Sequence, residues 1–288
     1  MKAIINYLLV TVLTLACSAA WSFDFGEEFK KVLKDGVQKK IEEKSDATTS
    51  STLLGLVGTS QEEEITIGRQ IAGNLLGASA LVKDQGLQMY VNNVGRWVAS
   101  QSERPDLAWH FGVIESGDVN AFAAPGGYIF LTRGLYSLLQ NEAELAGVLG
   151  HEIGHVIRKH HLKILKQSSL VDLGGKLLSQ RIGGNDKVQK LIGNGAEIVA
   201  RSLDKNAEFE ADRIAVVLAA RAGYDAFAFP EVLQQIGHFA KDEGSVALLF
   251  KTHPHPDDRL EKLGLVMTDR LENVKGKTLV ARFYRIKP

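Results

Sequence analysis

His151 and His155 stand four residues apart, with Glu152 beside the first. Positions i and i+4 share one face of a helix, so two imidazoles so placed can offer two corners of a tetrahedral zinc site. Glu152 is offset around the helix, where its carboxylate can reach a water on the metal without being a ligand. A third donor is needed. Glu208 and Asp212, again four apart in Glu208-Phe209-Glu210-Ala211-Asp212, offer a ligand and, one turn on, an acceptor for the ring N–H of a ligating histidine. Two His and one Glu leave a fourth position for water, the arrangement of a hydrolytic zinc site. Each stretch alone has a plainer reading. The first is a chance cluster on an exposed helix, and the second an acidic face paired with Arg201, Lys205 and Arg213. Small Gly150 and Gly154 flanking the histidines on a capped, apolar helix favour the metal reading.

The elements that must position these residues are legible in part. Asn141 with Glu144 forms a capping arrangement ahead of a helix whose apolar stripe is Leu145, Val148, Leu149 and Val156. A second helix is expected over about 205–221. Upstream, Ser60 with Glu63 makes a capping box before Ile65, Ile67, Ile71 and Leu75, and another helical pattern runs over roughly 84–103 through Leu87, Tyr90, Val91, Val94 and Trp97. Trp109–Ile114 reads as a strand. Gly126-Gly127 reads as a turn into a strand over Tyr128–Thr132, so residues 118–132 suggest a small antiparallel sheet. Two helical patterns in 165–200 are broken at Gly183-Gly184-Asn185. The alternation over Thr278–Ile286 predicts a final strand.

Lys+Arg and Asp+Glu are each 34, so no basic field exists to favour non-specific nucleic-acid binding. Lys2, an apolar run Ala3–Ala16 and small residues Cys17, Ser18, Ala19, Ala20 and Ser22 read as an export signal over 1–22. The run is short for a membrane span, although an uncleaved anchor is the alternative. Cys17 is the only cysteine. A lipoprotein anchored through Cys17 is a lesser reading, because Thr14 stands where an aliphatic residue belongs. If Cys17 leaves with the signal, only His, Glu or Asp can hold a metal. Residues 23–59 are expected to form an amphipathic helix (apolar Phe25, Phe29, Leu33, Val37, Ile41) and a polar linker. That helix is a packing helix in preference to one lying on a membrane surface. The catalytic domain is then 60–288, exported to the periplasm.

With these residues in view, the chain resembles peptidase family M forty-eight, the HtpX/BepA-like zinc metallopeptidases of the gluzincin clan. The matching stretches are Val119-Asn120-Ala121-Phe122-Ala123, Pro125-Gly126-Gly127, the Asn141–His155 block, Glu208–Asp212 and Thr252-His253-Pro254. The resemblance implies an α+β, mostly helical zincin-type domain with a small antiparallel sheet bordering the cleft. It implies one zinc ion held by His151, His155 and Glu208, with Glu152 as general base and Asp212 behind a ligand. It also implies that Asn120, Ala121, Phe122 and Ala123 border the cleft and pair with substrate as an added strand. The expected partners are polypeptides, in quality control of misfolded or mis-assembled envelope proteins, with peripheral contact to the envelope membrane allowed. No internal transmembrane stretch and no helical-repeat tail after the catalytic domain are expected, features that some members of the family have.

The resemblance also implies that His253, in its Thr-His-Pro turn, can approach the zinc, either occupying its open site at rest or assisting the transition state, and it is the first candidate for the oxyanion donor. The other histidines divide by context. His255 is expected in solvent. His160 and His161 suit a structural role at a helix C-terminus, and His110 and His238 a packing role. Two rival readings stay open: a chaperone-like binder of unfolded envelope proteins with a plugged or resting site, and a structural zinc with four protein ligands.

Overall fold

The computed structural model describes residues 59–165, 203–240, 243–271 and 273–286, all within the unit Thr59–Pro288. The expectations for 1–58 and 166–200 lie outside the described residues. Helix α1 (Gln61–Ala78) starts at the expected capping box, where the Ser60 hydroxyl accepts from Glu63 N at 3.2 Å and Glu63 Oε2 accepts from Ser60 N at 3.1 Å. Helix α2 (Gln85–Ala99) buries Leu87, Val91, Val94 and Val98, the 3–4 spacing of one helix face. Trp97 keeps to the far side, 53% exposed, with its indole N–H donating to the Ala222 carbonyl.

Strands β1 (His110–Ile114), β2 (Ala121–Ala124) and β3 (Tyr128–Thr132) form one sheet in the order β1-β3-β2. β2 and β3 pair antiparallel as expected, Ala121 opposite Leu131 and Ala124 opposite Tyr128. β1 joins β3 in parallel, so the sheet as a whole is mixed. The turn between β2 and β3 needs its glycines: Gly126 and Gly127 have φ of 76° and 94°, a region that costs side-chain-bearing residues dearly. α1 lies against this turn, and a Cβ at Gly68 would overlap the Pro125 carbonyl oxygen.

The two edges of the sheet differ. Beside β1, Gln88 exchanges both amide hydrogen bonds with the Val113 backbone (2.9 Å each), and Asn92 does the same with Phe111 one turn on. Val82 N donates to Val113 O at 2.9 Å. That edge is therefore occupied by α2 side chains and the segment before it. β2 is the other edge, and it faces the cavity described below.

β3 runs straight into α3 (Arg133–Leu138), with Thr132 as N-cap. Helix α4 (Glu142–Ile157) follows, capped by Asn141, whose side chain accepts from Glu144 N at 3.0 Å. Sequence periodicity gives α4 a single apolar stripe. In the fold it is the central element, buried on every side from Glu142 to Val156. Helices α5 (Lys205–Arg221), α6 (Ala228–Gly237), α7 (Ala247–Thr252) and α8 (Pro256–Leu271) complete the helical layer. Among the described residues no helix is long and apolar enough to cross a membrane.

The final strand expected over Thr278–Ile286 does not form. Leu279 takes a left-handed conformation (φ 55°), and Val280–Arg282 make a short 3-10 turn. A strand needs a ladder partner, and β1's outer edge is already filled. Side chains hold this segment instead: Phe283 stacks on Tyr136 at 5.2 Å, and the Tyr284 hydroxyl donates to Asp84 Oδ1 at 3.0 Å.

Candidate active site

α4 and α5 approach closely because small residues meet along their contact. A Cβ on Gly154 would lie 3.1 Å from Ala211 Cα, and one on Gly150 3.1 Å from Ala215 Cα. Glycine next to the histidines is thus what lets α5 bring Glu208 to them. His151 Nε2 and His155 Nε2 converge to 3.0 Å, and the Glu208 carboxylate lies 3.7 and 3.6 Å from them. His253, just past α7, brings its Nε2 to 3.7 Å from Glu208 Oε2. One donor atom from each of His151, His155, Glu208 and His253 falls within 4.8 Å of the others.

The donors fit a metal ion on their own chemistry. Both Glu208 oxygens are buried and accept no hydrogen bond among the described residues, an arrangement proteins avoid unless a ligand or ion meets it. Burial pushes the Glu208 carboxyl well above its ordinary pKa and the His155 and His253 imidazoles well below theirs. Neutral imidazoles are the ligating form, and a cation is what would restore charge to the carboxylate. Three histidines and one carboxylate suit zinc.

A family model described as peptidase family M48 matches residues 86–265, more than half of the sequence. The chain belongs to peptidase family M48. The beta-barrel assembly-enhancing protease of Escherichia coli (strain K12) is 29% identical over 225 residues, 73% of this chain and 46% of that protein. Its namesake in Yersinia pestis is 29% identical over 222 residues, 72% and 46%. The mitochondrial metalloendopeptidase OMA1 of Arabidopsis thaliana is 27% identical over 184 residues, 64% and 36%. The chain spans less than half the length of these relatives.

Within this M48 domain the remaining expected residues fall as follows. Glu152 is 4% exposed and lines the same cavity as Glu208 and His253. Burial, opposed by the Arg259 charge, pushes its carboxyl up to about 8. Asn120, Ala121, Phe122 and Ala123 line that cavity too. Asp212 sits behind His151, its Oδ1 2.9 Å from His151 Nδ1. Burial would raise the Asp212 carboxyl, but Arg259 and His151 outweigh it and hold the group well below the usual carboxylate range.

Arg259 has no signal in the sequence beyond its place near the start of α8. It is buried, and its Nε and a terminal nitrogen reach the two Asp212 oxygens at 3.0 and 2.6 Å. An arginine in the first turn of a helix looks like a surface residue; only the packing of α8 on α5 and α6 turns it inward. The histidines after α4 also differ from expectation. His160 and His161 are buried, and burial lowers both, His161 to about 4, so neither is a cationic helix cap. His160 Nδ1 lies 3.0 Å from His155 Nδ1. His161 lines the cavity with both ring nitrogens unpartnered among the described residues, as is Asn120 Nδ2. His255 is half-buried against Phe250, and His110 stacks on Tyr128 at 4.8 Å while exposed. His238 is exposed as well.

Proposed function

We propose that this chain is a zinc-dependent metalloendopeptidase of the cell envelope, acting on misfolded or mis-assembled polypeptides. The observation that carries the reading is the convergence of His151, His155 and Glu208, whose oxygens accept no hydrogen bond among the described residues, beside a buried Glu152. His151, His155 and Glu208 would hold the ion. When bound, zinc supplies a Lewis acid that acidifies water and draws charge from a carbonyl oxygen. Glu152 takes the proton of the attacking water at its carboxylate and returns it to the leaving amine. Asp212, fixed by Arg259, accepts the His151 Nδ1–H and keeps Nε2 free to ligate. The β2 edge receives an extended peptide as an added strand, and Asn120 Nδ2 and the His161 nitrogens, unpartnered among the described residues, are placed to meet its polar groups. The envelope setting rests on reading residues 1–22 as an export signal. The substrate class rests on relatives named for enhancing β-barrel assembly.

A second reading has one observation in its favour. His253 completes a four-donor set, which describes a resting or plugged site, as a chaperone-like binder or a structural zinc would have. If His253 only closes the site, His253→Ala raises cleavage. If the zinc is structural, the same change lowers the melting temperature and leaves no activity to raise.

Metal content of the purified protein, with casein cleavage in parallel, tests the proposal. Wild type is expected to carry one zinc per chain and to cleave; Glu208→Ala should do neither. Stoichiometric zinc in Glu208→Ala would overturn the assignment.

A further inference from the structure

α5 carries three carboxylates at alternate positions, and two have been placed: Glu208 among the ligands and Asp212 behind His151. The third, Glu210, reaches the other imidazole through an intermediary. His160 Nε2 lies 3.4 Å from Glu210 Oε2, while His160 Nδ1 faces His155 Nδ1 at 3.0 Å. Glu210 is steadied by Arg158, whose Nε is 2.9 Å from its Oε1 and whose terminal nitrogens bind Glu103 at 2.9 and 3.1 Å.

We propose that His160 is a positioning residue for His155, holding that imidazole by its Nδ1 with the Glu210 carboxylate behind it. The inference deepens the metal-centre reading and rests on it. Proton placement along the row is fully determined. For His155 to present a lone pair at Nε2, its proton must sit on Nδ1. His160 Nδ1 must then be the acceptor, which places the His160 proton on Nε2, and that nitrogen points to an acceptor-only carboxylate. One arrangement satisfies every contact. Each imidazole on α4 thus answers to a carboxylate on α5, His151 directly to Asp212 and His155 through His160 to Glu210.

The backbone after α4 is shaped to deliver His160. α4 ends at Ile157, Arg158 caps it, and Lys159 adopts φ 56°. A left-handed lysine is disfavoured by its Cβ; here its Nζ is held 3.0 Å from the buried Glu64 carboxylate. That single reversed residue starts a new helical turn at 160–165 and swings His160 back against the His155 ring, 5.2 Å between centroids. Continuing α4 without the reversal would place residue 160 elsewhere around the helix, five positions on and off the His155 face.

Zinc affinity decides the matter, because a packing role and a positioning role predict different pairs of results. The full chain is stripped of metal, its melting temperature recorded, and its zinc affinity measured by competition with a chromophoric chelator. His160→Phe keeps a ring and removes the acceptor, and it is expected to bind zinc about 10–100-fold more weakly at a near-wild-type metal-free melting temperature. His160→Asn restores an acceptor where Nδ1 stood, and should recover most of that affinity. Glu210→Gln, at a half-exposed position, should weaken zinc by about twofold to tenfold, and it decides the case if His160→Phe fails to fold. Wild-type affinity in a folded His160→Phe, equal losses for Phe and Asn, or wild-type affinity in Glu210→Gln would each overturn the proposal. A wild-type protein that binds no zinc sinks the metal-centre reading itself, whereas zinc bound equally by wild type and His160→Phe sinks this inference alone.

Discussion

Glu64 and Glu142 are as deeply buried as Glu152 and Glu208, but on opposite terms. Glu64 accepts from both Arg104 terminal nitrogens (2.8 and 3.2 Å) and from Gly126 N at 3.1 Å, with Lys159 Nζ 3.0 Å away. Glu142 accepts from the Tyr90 and Tyr224 hydroxyls at 2.9 and 2.8 Å and from Arg282. Burial alone would raise the Glu64 carboxyl; Arg104, Lys159 and Gly126 together hold it below its ordinary value. Among the described residues Glu208 has no such donors, and both it and Glu152 are pushed up. A buried carboxylate with its hydrogen bonds filled fastens elements together. One left without donors is the kind of site that a ligand or an ion can complete.

That contrast can be broken in four ways. The largest effect should come from Glu152→Gln, which keeps zinc and loses about 10²–10⁴-fold in peptide cleavage, as removal of a general acid–base does; casein cleavage at the wild-type rate would break the assignment. Next, Glu64→Gln should cost about 2 kcal/mol, less than a fully buried pair because Arg104 and Lys159 are partly exposed, measured by urea unfolding. Its sign with pH follows from a depressed folded pKa. The Glu64 contribution is fully present above the unfolded value near 4.5 and is lost as pH falls through the folded value, so wild type and variant should converge in acid. Third, and opposite in sign, Glu152→Gln should stabilise the metal-stripped protein by about 1–2 kcal/mol at neutral pH, because burial penalises the charged form of the Glu152 carboxyl. A loss of stability there would erase the distinction. Smallest, Tyr224→Phe removes one of several donors to Glu142 and should cost about 1 kcal/mol with zinc affinity unchanged.

The same contrast marks how far the sequence could be read. Capped helices announced themselves at Ser60 and Asn141, because a cap is a local arrangement of a few residues. The His151–His155 spacing and Glu208–Asp212 spacing were equally local, and their residues do converge. Arg259 was invisible, since nothing in its neighbourhood distinguishes an arginine aimed inward from one in solvent. Sequence context places His160 and His161 as helix-end cations. Both are buried instead, after the reversal at Lys159, and His160 meets Glu210 of α5.

Residue types and helical spacing by themselves singled out His151, His155 and Glu208, whose donor atoms meet in the fold, because a pair of donors on one helix face is set within about one turn. The tertiary structure alone decided that α4 is buried all round, that the segment after Thr278 forms no strand, and that Arg259 and His160 stand behind the imidazoles. Those outcomes depend on which backbone edges are already occupied and which charges meet across helices distant in the chain, and no local spacing encodes them.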